Sequence, residues 1–323
     1  MLGNMRKSIV MILLLCLSSM TINAQFLFRV IGNGQDKPSY MLGTVHTLPC
    51  SLLDSIPAYL EAETQCRQMY VEYDVNDRLA MDSLRNAGMY LAGIPDGKTV
   101  IDYMNREQIE MLKNAFKEVF HICVSDSDIM RKFNYQPVAF LTMFKMMIPI
   151  MEMQKHPELG FKGVLLDAGC AQRAEKRGMV LGNLDAIQEK DSLMKINKAL
   201  MHNIDAQVDS LASFLCRFEQ FKQDTAEEMQ EAVQAVTDWK NGDYDHFSTS
   251  AYFLSHAEND YALFRNRNEA WLPKMCVAMS EAPTMFVFGA GHLIGPHGMI
   301  QLLRNSGYHV EQIKDGLLTS YNE

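Results

Sequence analysis

Apolar residues in this chain follow two rhythms. Near both ends they form short runs bounded by glycine, proline and polar turns. Through the middle they recur every three or four positions. FLFRVIG and SYMLG flank the polar turn GNGQDKP, which predicts two strands between Gln25 and Leu42. SLLDSIPAYLEAETQ follows at helical spacing, its start marked by Ser51 and Asp54. RQMYVEYDV reads as a strand, with Val71 and Tyr73 alternating against Glu72. Strand, helix and strand in succession predict a parallel βαβ unit. Helical patterns come next in DRLAMDSLRNAG, REQIEMLKNAFKEVFHI, PVAFLTMFKMM and GVLLDAGCAQRAEKRG, with MVLGNL a short strand after them. Residues 191 to 241 read as fully helical. The end of the chain alternates again: ENDYALFRNRNEAWLPKMCVAM a helix, TMFVFG a buried strand, HGMIQLLRNSG a helix ended by Gly307, YHVEQI a strand. The predicted fold class is α/β, with a mixed, largely parallel sheet built from the N- and C-terminal parts and a mainly helical middle. This is one domain over residues 25–323, with the helical insertion at about 76–250.

Residues 1–24 stand apart from that domain. Arg6 and Lys7 precede an apolar run from Ile9 to Met20, and Ser18-Ser19 leads to a small-residue site at Ala24. This is the pattern of a secretory signal peptide, with cleavage after Ala24 and export to the periplasm or medium. The apolar run is too short to span a membrane. The Leu13-Leu14-Leu15 stretch before Cys16 lacks the small residues of a lipoprotein box. Without the leader, 28 basic residues face 39 acidic ones, a net charge of −11. That balance argues against nucleic acid and anionic membrane surfaces as partners. Six cysteines remain, with no CxxC spacing. Those in SFLCRF and PKMCVAM read as buried thiols, and Cys50–Cys66 is the first pair to check for a bridge.

Candidate chemistry sits in a motif present at both ends. Gly43-Thr44-Val45-His46 closes one apolar strand, and Gly289-Ala290-Gly291-His292 closes another. In each, a glycine ends the strand and a histidine follows three residues later. Glycine there lets the chain bend and leaves room above the backbone. A histidine at the carboxyl end of a strand lies where open α/β sheets place their sites. Glu72 ends the second βαβ strand, and an unpaired glutamate inside a strand is costly to bury. Two imidazoles and a carboxylate with an open position are what a catalytic metal needs to activate water. Glu72 is either a ligand or a general base beside the ion. Each GxxH taken alone is also compatible with a surface or capping histidine.

The same residues carry a family resemblance. The strand-plus-GTVH opening, VEYD, NYQPVAFL at Asn134–Leu141, the helix holding Asp167, FRNRNEAW and FGAGHLIGPHGMIQLLRNSGYHV occur in one order. In that order they resemble the TraB/GumN family, which is related to the Tiki metalloproteases, over nearly all of the chain beyond the leader. The resemblance implies a core shared with erythromycin-esterase-like and ChaN-like proteins. It implies one divalent ion (manganese, cobalt, zinc or iron) on His46, His292 and Glu72, used to hydrolyse a peptide or amide bond. Arg267 and Asn268 match the family's Arg-Asn pair. Arg267 either steadies oxyanion charge or forms a salt bridge with Glu72 or Asp167. Gly43, Gly289, Asp167 and Asn268 are expected to support the site, Asp167 as a helix N-terminal charge or a partner of a ligand. One position departs from the pattern. Asn183, in LGNLDAIQ, stands where family members carry a glutamate, although Gln188 is kept, and Asp185 lies two residues on as a substitute. That departure leaves open a rival, a non-enzymatic protein binding haem, a metal or a peptide. The expected partner is a peptide or small-molecule substrate.

Other signals are given bland readings. GIPDGKT has too few residues between its glycines for a phosphate loop and reads as a turn. The methionines from Met143 to Met153 read as packing around Pro149 and His256 in SHAEND as a solvated loop residue, while His297, five residues after His292, is within range of the pocket from the first turn of its helix but is not counted among the site residues.

Overall fold

The computed structural model describes residues 26–72, 93–94, 96–159, 163–185 and 203–313. Its six strands form one sheet: β1 Leu27–Gly32, β2 Ser39–Thr44, β3 Gln68–Val71, β4 Val180–Asn183, β5 Thr284–Gly289 and β6 Tyr308–Gln312, in the order β4-β3-β5-β2-β1-β6. β4, β3, β5 and β2 pair in parallel, while β1 runs antiparallel to both β2 and β6. The fold is therefore α/β with a mixed, mostly parallel sheet. The exception is the hairpin read from GNGQDKP, where Asn33 and Gly34 take positive φ, as a tight reversal requires.

Two expectations need adjustment. β5 lies between β2 and β3, so the βαβ unit skips one strand position, and Glu72 adjoins the end of β5 rather than β2. The sheet also takes one strand, β4, from the middle of the chain. Central β2 and β5 are buried at every position, as strands covered on both faces must be.

SLLDSIPAYLEAETQ does not form one helix. A 3-10 turn at Cys50–Ser55 and an α-helix at Pro57–Gln65 are separated by Ile56, which is extended. Pro57 is the cause: its ring excludes the α conformation from the preceding residue and suits the first helical position. Arg217 likewise divides the predicted long helix into Ile204–Cys216 and Phe218–Asn241. ENDYALFRNRNEAWLPKMCVAM opens with a π-turn, Tyr261–Arg265, before the α-helix Asn266–Glu281. The helix DRLAMDSLRNAG, Tyr73, the leader, Gln188 and the helical pattern from 191 to 202 lie outside the described residues.

Two apolar cores result. The larger surrounds the sheet, with Trp239, Trp271, Tyr40, Tyr59, Phe286 and Phe288 fully buried. The second is an aromatic cluster of the helical middle around Phe116, Phe140, Phe144, Phe214 and Phe218. Met143, Met147 and Met151 pack against the second cluster and Met153 against the first, whereas Met146 is exposed. The helix Phe218–Asn241 belongs to both cores, Phe218 in one and Trp239 in the other. The Trp239 indole N–H donates to the Gly43 carbonyl at 2.8 Å, linking the helical part to the strand that carries His46. Among the described residues no helix is long and apolar enough to cross a membrane.

The cysteines depart in part from expectation. Cys50 and Cys66 are buried free thiols, and so is Cys170, but Cys216 of SFLCRF is exposed and Cys276 of PKMCVAM half-buried. Apolar neighbours in sequence do not decide burial on a helix; the phase of the turn does.

Candidate functional site

The parallel pairing of β2 with β5 sets Thr44 beside Gly289 and Gly43 beside Phe288. The two GxxH motifs thus leave the sheet side by side, at its carboxyl edge. β3 pairs with β5 through Val71 and Val287, so Glu72 emerges at the same edge. Both glycines serve close approach. A Cβ on Gly289 would lie 2.7 Å from His46 Nε2 and 3.2 Å from Glu72 Oε1. A Cβ on Gly43 would lie 2.5 Å from Leu293 Cδ1, blocking the 3-10 turn Ala290–Leu293 that carries His292. Neither glycine takes a positive φ, so the reason for glycine is space, not the bend.

His292 is buried and ringed by Trp271, Phe264 and Phe288. Its tautomer follows from its neighbours. Asn268 Nδ2 donates to the His292 and His297 carbonyls at 3.3 and 2.8 Å, which leaves Asn268 Oδ1 as acceptor. That oxygen lies 2.7 Å from His292 Nδ1, so Nδ1 carries the proton and Nε2 presents its lone pair. Burial drives its pKa down to about 3; the Arg267 and His46 charges add to this, against Glu72.

His46 has the same design with a different partner. Its Nδ1 is bonded to Asp167 Oδ2, and Asp167 Oδ1 accepts the Thr44 hydroxyl at 2.8 Å. Asp167 lies in the first turn of the helix Leu166–Lys176. Asp167 is therefore a first-turn charge of that helix and the hydrogen-bond partner of His46. The His46 side chain is 57 % exposed. Burial of the ring favours the neutral form, but the Asp167 bond, with the Asp167 and Glu72 charges, outweighs it and raises the pKa to about 9.

The two Nε2 atoms converge on one oxygen. Glu72 Oε1 is 3.6 Å from His292 Nε2 and 3.9 Å from His46 Nε2, and it accepts the Gly289 N–H at 2.6 Å. Arg267 closes the site. Its guanidinium donates to Glu72 Oε2 at 2.7 Å, to both Asp185 oxygens at 3.1 and 2.9 Å, and toward His292 Nε2 at 3.1 Å. It stacks 4.6 Å from the Trp271 ring centre, and the Trp271 N–H donates to Asp185. The salt-bridge reading of Arg267 holds for Glu72, while its second carboxylate is Asp185, not Asp167. Asp185, weighed only as a substitute for the missing glutamate at 183, instead fixes Arg267 and Trp271.

Among the described residues no group of three or more His, Cys, Asp or Glu side chains is closed around a metal position. Arg267 projects into the space between His292 and Glu72. The donor chemistry nonetheless fits a divalent ion: both Nδ1 atoms are engaged, both Nε2 atoms face one carboxylate, and each imidazole is oriented by its own partner. His297 faces Glu269, and His256 bonds the Tyr252 carbonyl; neither reaches the site. Sequence reasoning missed Trp271 and Thr44. Trp271 follows Arg267 by one helical turn, the spacing at which side chains meet, and Thr44 lies within the GTVH motif itself.

Five strands pointing one way, with paired histidines at their carboxyl edge, define an α/β protein with a polar site at the mouth of its sheet. The TraB/PrgY/gumN family model matches residues 26–312, and the chain belongs to that family. It is similar to Metalloprotease TIKI2 of Danio rerio, 22% identical across 88% of this chain and 61% of that protein. It is also similar to Metalloprotease TIKI1 of Homo sapiens, 22% identical across 87% of this chain and 61% of the relative. The Metalloprotease TIKI homolog of Nematostella vectensis is 22% identical across 86% of this chain and 65% of its own length. The chain thus spans about three fifths of the length of these relatives. No solved structure matches it.

Proposed function

We propose that this chain is an exported, metal-dependent hydrolase that cleaves a peptide or amide bond. His46, His292 and Glu72 hold one divalent ion, of manganese, cobalt, zinc or iron type. The observation that carries this reading is the convergence of the two Nε2 atoms on Glu72 Oε1, each imidazole held by a partner on Nδ1. The ion supplies Lewis acidity toward water and the scissile carbonyl. Asp167 and Asn268 orient the imidazoles. Glu72 also lies within reach to take a proton, anchored by the Gly289 N–H. Arg267, held by Asp185, stands where charge would develop on a tetrahedral intermediate. The relatives named as metalloproteases support the reaction class and the peptide substrate. An ion held by His292 Nε2 would take the place of the Arg267 N–H there, while Asp185 would retain the guanidinium. The leader pattern supports export with cleavage after Ala24.

The test is metal content by mass spectrometry on the purified chain after incubation with manganese, cobalt and zinc, beside the double variant His46→Ala/His292→Ala. About one ion per chain, lost in the variant together with peptide hydrolysis, is the expected result. An ion retained by the folded variant sinks the ligand assignment.

A further inference from the structure

Away from the site, two cysteines from distant parts of the chain meet. Cys50 opens the 3-10 turn after β2, and Cys170 lies in the helix Leu166–Lys176. The Cys50 side chain packs on the helix backbone next to Cys170: a Cβ on Gly169 would lie 2.2 Å from Cys50 Cβ and 2.3 Å from its Sγ. Two main-chain bonds fix the register, from Cys50 N–H to the Val164 carbonyl at 2.9 Å and from Leu166 N–H to the Leu48 carbonyl at 2.8 Å. Each thiol lies near enough to the other to shift its ionisation. Cys170 is fully enclosed, its sulfur 3.8 Å from the Tyr59 hydroxyl. Cys50 lines a cavity of about 310 Å³ shared with Asp54, Arg173 and Lys176. The pair is asymmetric. The nearby Cys170 S–H, opposed by burial and aided by the Arg173 charge, holds the Cys50 thiol below its ordinary pKa. The same proximity, with burial, pushes Cys170 well above its own.

The geometry points to a redox-active dithiol in which Cys50 is the attacking and Cys170 the resolving sulfur, closing to a disulfide at the expense of a small-molecule disulfide. Cys50 thiolate attacks one sulfur of the incoming disulfide, entering through the cavity, and releases one thiolate. Cys170 then loses its proton, attacks the Cys50 sulfur and releases the second. The protein loses two hydrogens and the small disulfide becomes two thiols. Cys50 follows His46 by four residues, and Cys170 follows Asp167 by three on the same helix. The bridge therefore clamps together the two segments that carry the His46–Asp167 pair.

The experiment is a non-reducing peptide map of the full chain after equilibration with oxidised or reduced glutathione. Oxidised glutathione is expected to give a Cys50–Cys170 cross-linked peptide, absent in the reduced sample, and to raise the melting temperature by roughly 5 °C. In Cys170→Ser, Cys50 is expected to keep a glutathione adduct, because no second thiol displaces it. In Cys50→Ser the attacking sulfur is gone, and the enclosed Cys170 is expected to stay unmodified. Exposed Cys216 reports that the oxidant was active. A bridge from Cys50 to Cys66, or no bridge while Cys216 is glutathionylated, overturns the proposal. The wild-type map decides the matter even where a variant fails to fold.

Discussion

The two GxxH ends place identical imidazoles in opposite surroundings. His292 is sealed among Trp271, Phe264 and Phe288 and held by a neutral amide. His46 is more than half exposed and held by a carboxylate. One is kept neutral far below its ordinary pKa and the other is protonated up to about 9. The same motif thus yields a rigid, permanently neutral donor and an adjustable one that titrates. The difference lies in what packs over the histidine and not in the motif: aromatic side chains and the Asn266–Glu281 helix enclose one, and polar groups of Asp167 and Glu72 border the other.

Substitutions can break this comparison in graded ways. The largest effect is expected from His46→Ala and His292→Ala, each abolishing metal content and peptide hydrolysis; either variant keeping a full ion would remove its histidine from the ligand set. Gly289→Ala comes next, because its methyl would intrude on His46 Nε2 and Glu72. It should lose the ion while urea unfolding shows the fold retained. Stability should separate the two histidines. His292→Ala empties a buried site and should cost about 2–4 kcal/mol, whereas exposed His46→Ala should stay within about 0.5 kcal/mol, both read from denaturant midpoints. Asp167→Asn should weaken metal affinity roughly 10–100-fold by calorimetry, and equal affinity would deny Asp167 its orienting role. The smallest effect concerns pH. His46 is raised when folded, so the stability it contributes is complete below its ordinary value of 6.5 and fades as pH rises toward about 9. Metal loading runs the other way, because the ion displaces that proton, and should tighten with pH until about 9. A histidine NMR titration that finds His46 titrating at its ordinary value would contradict both.

Much of this was legible from the residues. The β1–β2 hairpin, β3, β5 and β6 follow from short apolar runs between turn residues, and His46, His292 and Glu72 from their places at strand ends. Their gathering at one edge was legible only as an expectation, since no local signal reveals that β5 inserts between β2 and β3. The break at Ile56 was written locally in Pro57, whereas the break at Arg217 and the π-turn before Asn266 are not encoded by periodicity. Asp185 escaped for a related reason. Its partner Arg267 is distant in sequence, and only pairing of β4 with β3 brings the segment after Asn183 alongside Glu72.

The helix Phe218–Asn241 is also a rod between the two cores. Its inner end is pinned to Gly43 through Trp239, three residues before His46. About 30 Å separates Trp239 from Phe218 at the usual rise per residue, so a tilt of roughly 5° at the pin displaces the aromatic cluster by about 3 Å. One continuous helix therefore ties the aromatic cluster to the strand beneath His46, and any tilt of that helix would be felt at the Gly43 carbonyl.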